Sequence, residues 1–103
     1  MKSSTEIKKI AKETIALEAE AIKRLERAIN DAFVKVIDLI LNAKGRLIVA
    51  GIGKSANIAN KIVATFNSTG QPAVFLHAAD AIHGDLGNIQ KEDVVICISK
   101  SGN

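Results

Sequence analysis

Three short, unbroken apolar runs restrict the folds open to this chain more than any other feature: Leu47-Ile48-Val49-Ala50, Ala73-Val74-Phe75-Leu76 and Val94-Val95-Ile96-Cys97-Ile98. A strand with one wet face alternates apolar and polar residues. A run of four or five with no polar break suits a strand covered on both faces, as in a parallel sheet. Between the first two runs, Ile58, Ala59, Ile62, Val63 and Phe66 recur at helical spacing, Gly70 stops the helix, and Pro72 precedes the second run. A loop over residues 77–90 separates the second run from the third. With right-handed crossovers, this order predicts an α/β fold with a parallel sheet, and strand order 2-1-3 would put the first strand in its centre. Ligands of such sheets bind beyond the carboxyl ends of the strands.

Residues 3–44 read as helix. Ser3 or Ser4 can cap the start, because Glu6 stands near the capping-box position. Ile7, Ile10, Ala11, Thr14 and Leu17 form one stripe, and Ile22, Leu25, Ile29, Phe33, Val36, Ile37 and Ile40 continue it. Asn30-Asp31 is the best internal break, since either side chain can cap a new helix over 31–43. Gly45 is expected at the C′ position of that helix. The chain thus divides into N-terminal helices at 1–44 and the sheet region at 45–103.

With 103 residues and an apolar fraction of 48%, the chain can form one core, but with three Phe and no Trp or Tyr it must be aliphatic. The same scarcity argues against single-stranded nucleic-acid binding, which relies on aromatic stacking. The net charge of +3 is spread along the chain without a basic stripe, so no nucleic-acid partner is expected. No apolar run is long enough to span a bilayer and the N-terminus has no signal-like core, so no membrane association and a cytoplasmic location are expected. Cys97, the single cysteine, lies inside the third apolar run and is expected to be a small core residue.

Three motifs fall at the predicted strand ends. Gly51-Ile52-Gly53-Lys54-Ser55 follows the first strand and opens a helix, which combines close backbone approach, unpaired helix N–H groups and a cation. It is not a P-loop, because Ile48 stands where that motif needs glycine. With Ala56 it matches a dinucleotide fingerprint, but the second strand ends in Leu76-His77-Ala78-Ala79 with no acidic residue to hold a ribose. Phosphate binding is the better reading, ahead of a plain tight turn. Ser99-Lys100-Ser101-Gly102-Asn103 follows the third strand and can present several hydroxyl and amide donors to a phosphate. The loop between carries both histidines, His77 and His83, with Asp80 and Asp85. Such a group suits acid–base work. Its spacing matches no common zinc signature, and Asp85 can equally cap a turn.

Taken in order, the stretches G-R-L-I-V-A-G-I-G-K-S, S-T-G-Q-P-A-V-F-L-H, H-G-D-L-G and D-V-V-I-C-I-S-K-S-G-N, within Gly45–Asn103, resemble the sugar isomerase (SIS) domain, and more narrowly its arabinose-5-phosphate isomerase branch. The resemblance implies a flavodoxin-like sheet of five strands, of which the chain holds the first half, and N-terminal helices that help build a homo-oligomer, a tetramer in the parent protein. It implies interconversion of D-ribulose 5-phosphate and D-arabinose 5-phosphate through an enediol, in support of synthesis of the lipopolysaccharide sugar Kdo, with no required cofactor. It places Lys54 and His83 as catalytic residues, and Gly53, Ser55, Gly70, Gln71, His77, His83, Ser99, Ser101 and Gly102 against the pentose 5-phosphate. His77 can also take up an incidental zinc.

The sequence departs from the family pattern at Ala56, Ala78 and Asp80, where glycine, proline and glutamate are common. The pattern also continues past this Ser-Gly-Asn with a glutamate, further strands and often CBS domains. The chain is therefore expected to be part of a larger isomerase, inactive by itself, with its third strand an uncovered edge. The alternatives are a non-catalytic sugar-phosphate sensor, a related phosphosugar isomerase and a pure assembly module. The helices show no basic recognition face of the helix-turn-helix kind, which counts against the sensor.

Overall fold

The computed structural model describes residues 3–79, 87, 89–100 and 102. The chain divides into two compact units, Met1–Ile37 and Asp38–Asn103. The first contains α1, Ser4–Arg24, which begins where the Ser3 hydroxyl accepts the Glu6 N–H at 3.2 Å. Glu6 near its positive end and Lys23 and Arg24 near its negative end complement the helix dipole. A 3₁₀ turn over Leu25–Ala28 follows, and Ile29 leaves helical geometry. Asn30 then caps α2, Asp31–Leu41, its Oδ1 accepting the Phe33 N–H at 3.1 Å. Each such cap is worth about 1 kcal/mol, and Asn30 explains why one apolar stripe yields two helices.

The expected role of Gly45 needs correction. α2 stops at Leu41, where the Asn42 side chain donates to the Asp38 carbonyl at 2.8 Å. Gly45 comes later and is glycine for another reason. Its N–H donates to the Glu92 carbonyl at 3.1 Å, and a Cβ there would lie 2.7 Å from that oxygen. Close approach to the turn before the third strand, rather than a helix C-cap, excludes a side chain.

The second unit is a three-stranded parallel sheet: β1, Leu47–Gly51; β2, Ala73–His77; and β3, Val94–Cys97. The order is β2-β1-β3, as the sequence predicts, with Leu47 level with Ala73 and Val94, and Ala50 level with Leu76 and Cys97. α3, Lys54–Ser68, connects β1 to β2. Its Ala59 packs with Leu47, Val49 and Ala73 to form the core, and Ile62, Val63, Phe66, Phe75, Val94, Ile96 and Ile40 close around them. Leu47 and Val49 are fully buried, each stabilising the fold by about 1.5–3 kcal/mol relative to exposure.

The alternate residues of the edge strands fare differently. Val74 is 38% and Val95 40% exposed, and Cys97 is exposed, contrary to its expected place in the core. The run Val94–Ile98 is apolar at every position, so periodicity cannot say which face is covered. α3 packs over the face carrying Val94 and Ile96, and Cys97 alternates to the other. No strand among the described residues pairs with the outer edge of β3.

Two side chains lock the amino end of the sheet. The Asn67 amide accepts the Ala73 N–H at 2.9 Å and donates to the Ala73 carbonyl at 3.0 Å, standing in for a neighbouring strand. Asp93, whose side chain is 2% exposed, accepts the N–H of Arg46 at 2.7 Å, the Gln90 N–H at 2.7 Å and the Arg46 guanidinium at 3.1 Å. The Gln90 amide first, then the Arg46 backbone and guanidinium, hold its carboxyl below the ordinary value of 3.8.

Because that pKa is depressed in the fold, the ionised carboxylate stabilises the protein fully above the ordinary value. The contribution fades as pH falls from there through the lower folded value. Asp93→Asn turns an amide donor toward N–H groups and lowers the melting temperature at neutral pH. Thermal melts of both proteins from pH 7 to pH 3 are expected to show the gap narrowing only in the acid range. A gap that stays constant to the lowest pH contradicts the ionised clamp.

Candidate functional site

The site is built outward from the end of β1. Gly51 is buried, and a Cβ on it would lie 2.7 Å from the Ser55 carbonyl oxygen and 3.0 Å from the Ala56 nitrogen. The first turn of α3 therefore rests directly on the strand end, which only glycine permits. Ala56, at the position where the fingerprint also allows glycine, is small enough to be buried there. Gly53 caps the helix at φ 60°, ψ −130°, in the half of the backbone map that favours glycine. Among the described residues nothing lies within 4 Å of a Cβ built on it. The Gly53 carbonyl receives the N–H groups of Ala56 and Asn57. The first N–H groups of α3 have no intrahelical acceptor, and together with the helix dipole they favour an anion. Lys54 is exposed and Ser55 half-buried at this first turn.

Strand register brings the other motifs alongside. Gly51 is level with His77 on β2. On the other side the Ile98 N–H donates to the Ala50 carbonyl at 2.9 Å, extending the β1–β3 pairing up to Ser99. Neighbouring strands lie about 4.8 Å apart, so the three chain segments leave the sheet side by side. The Ser99 hydroxyl accepts the Gly102 N–H at 2.6 Å, which folds this loop back on itself with Gly102 at φ 84°. His77 is half-buried, its Nδ1 accepts the Ala79 N–H at 3.2 Å, and its ring stands edge-on to Phe75 at 6.2 Å and 85°.

Gly53, Lys54, Ser55, His77, Ser99 and Gly102 are thus gathered at one end of one sheet. Gly70 and Gln71 are not. They lie at the amino end of β2, where Gly70, at φ 91°, and Gln71 close α3 through bonds to the Asn67 and Phe66 carbonyls. That arrangement is a Schellman helix stop, and one strand length, about 16 Å, separates it from the carboxyl end. His83 and Ser101, with Asp80 and Asp85, lie outside the described residues. Sequence reasoning passed over Gly51 as a site residue, and the Ala79 amide altogether. The glycine was visible in the G-x-G pattern, whereas no residue type marks a backbone donor.

Charge is sorted along the strands. Lys54 and Lys100 stand at the carboxyl end, and the described carboxylates next to β3, Glu92 and Asp93, stand at its amino end. The described part of the site therefore suits an anion with several oxygens. Among the described residues no three His, Cys, Asp or Glu side chains converge, and His77 Nδ1 accepts the Ala79 N–H.

A SIS domain model matches residues 39–103. The arabinose 5-phosphate isomerase KdsD of Pseudomonas aeruginosa is 50% identical over 93 residues, covering 90% of this chain and 28% of that protein. The arabinose 5-phosphate isomerase GutQ of Escherichia coli K12 is 47% identical over 91 residues, covering 88% of this chain and 28% of that protein. The chain thus spans under a third of the length of these curated relatives. Among solved structures, a protein of E. coli CFT073 in complex with arabinose 5-phosphate superposes with a TM-score of 0.91 at 37% identity, covering 99% of this chain and 54% of that one. Matched by the family model over residues 39–103, the chain belongs to the SIS domain family.

Proposed function

We propose that the carboxyl-end cradle holds the phosphate of a pentose 5-phosphate, and that the protein interconverts D-arabinose 5-phosphate and D-ribulose 5-phosphate. One observation carries this reading. The glycine-capped start of α3 and the Ser99–Gly102 loop leave adjacent strands at the same end of the sheet, in a chain half identical to a named arabinose 5-phosphate isomerase.

The reaction balances internally. A base takes the proton from C2 of the aldose, the enediol forms, a hydrogen passes from the C2 oxygen to the C1 oxygen, and a proton arrives at C1. C1 is reduced as C2 is oxidised, so no external electron carrier enters. Lys54, set by the Gly53 cap at the mouth of the cradle, supplies positive charge to the developing enediolate oxygen. His83, six residues after His77 in the sequence, is the second catalytic group. Ser55, Ser99, Ser101 and Gly102 bind the phosphate and His77 the sugar. The protein acts in the cytoplasm as a homo-oligomer, and its product feeds Kdo formation. The roles implied for Gly70 and Gln71 are not part of this site within one copy.

The reading is tested in a chimera in which this chain replaces the aligned segment of the P. aeruginosa relative. The chimera is expected to interconvert the two pentose 5-phosphates, and Lys54→Ala to lower its kcat/KM by about 100-fold or more. Full activity in the variant removes Lys54 from the mechanism, and an inactive but folded chimera removes the assignment. Gly53→Ala in the 103-residue chain is expected to cost about 1–3 kcal/mol of stability through backbone strain. Gly51→Ala should cost a similar amount through overpacking on Ser55. Urea unfolding measures both, and wild-type midpoints would contradict the loop geometry.

A further inference from the structure

Hydrogen bonds already made at the carboxyl end decide what its side chains can still offer a ligand. Ser99 Oγ accepts the Gly102 N–H, so its own hydrogen points to another acceptor. His77 makes the same kind of commitment. A neutral imidazole has one N–H and one lone pair. The Nδ1 lone pair takes the Ala79 N–H at 3.2 Å, which leaves the hydrogen on Nε2. The half-buried ring is braced edge-on against Phe75, and its strand position is level with Gly51 at the base of the cradle.

We propose that His77 serves this site as a hydrogen-bond donor through Nε2–H to an oxygen of the bound sugar phosphate, and not as a metal ligand, with its tautomer set by the Ala79 amide. The proposal deepens the phosphosugar reading and rests on it. A metal bound at Nε2 needs the lone pair there, which moves the hydrogen to Nδ1. Metal-bound histidines donate that second N–H to a carbonyl or carboxylate. Here the partner of Nδ1 is itself an N–H, so ligation would set two donors face to face and break the bond that holds the ring. The donor tautomer thus adds one hydrogen to those available from Ser99 O–H, the first N–H groups of α3 and Lys54.

The test is imidazole ¹H–¹⁵N correlation spectroscopy on the labelled 103-residue chain, with His77→Gln used to assign the His77 signals. The expected pattern is a proton-bearing Nε2 and a bare Nδ1. The opposite tautomer, or an even mixture as in free imidazole, overturns the proposal whatever the enzyme's activity. Zinc chloride alone, at one equivalent, is expected to leave the pattern unchanged, and a metal-shifted Nε2 without its proton overturns it as well. Titration with arabinose 5-phosphate is expected to shift the His77 Nε2–H together with the Gly53–Ser55 and Ser99 amides. His77→Gln, which keeps an N–H donor, should hold affinity within a few-fold, and His77→Leu should lose about tenfold, the effect of one hydrogen bond. Amide shifts with no response at His77 refute the donor role and spare the phosphosugar reading. No amide shifts at all, with the expected tautomer present, refute that reading instead.

Discussion

Everything at the functional end of this protein is placed by β1. All five residues of Leu47–Gly51 are buried, and the strand pairs on both sides, with β2 and with β3. Its parallel register sets Gly51 beside His77 and, one step beyond the last pair, beside the approach to Ser99. A slip of one residue would turn Leu47 and Val49 away from α3 and displace all three loops together. The hydrophobic packing that fixes the register therefore also fixes the site.

The two ends of the sheet divide the work. At the amino end, the buried Asp93 carboxylate satisfies three donors from Arg46 and Gln90, and the Asn67 amide separately pairs with the Ala73 backbone. At the carboxyl end, the first N–H groups of α3 have no intrahelical acceptor. The amino end holds the strands in place, so the carboxyl end can keep unsatisfied backbone groups without losing its shape. Gly70 illustrates the separation. Its left-handed backbone ends α3 on the structural side, although a family pattern alone would set it near substrate.

Much of this was legible in the residues. Continuous aliphatic runs announced strands of a parallel sheet, Asn30 announced a cap, and the glycine spacing announced a strand–helix turn, because each is a local preference of backbone or side chain. What failed was non-local. Gly45 looked like a helix stop and is glycine because Glu92 passes beside it. Cys97 looked buried and is exposed, because composition cannot report which face of an edge strand a helix covers.

The sequence by itself determined the class of fold and the residue types available to bind an anion, since these follow from short-range patterns. Only the tertiary structure decided which of those residues meet, that Gly70 and Gln71 stand a strand length from the others, and that His77 Nδ1 is taken up by the Ala79 N–H. Those outcomes depend on register and on a backbone N–H, and neither is written in the identity of any one residue.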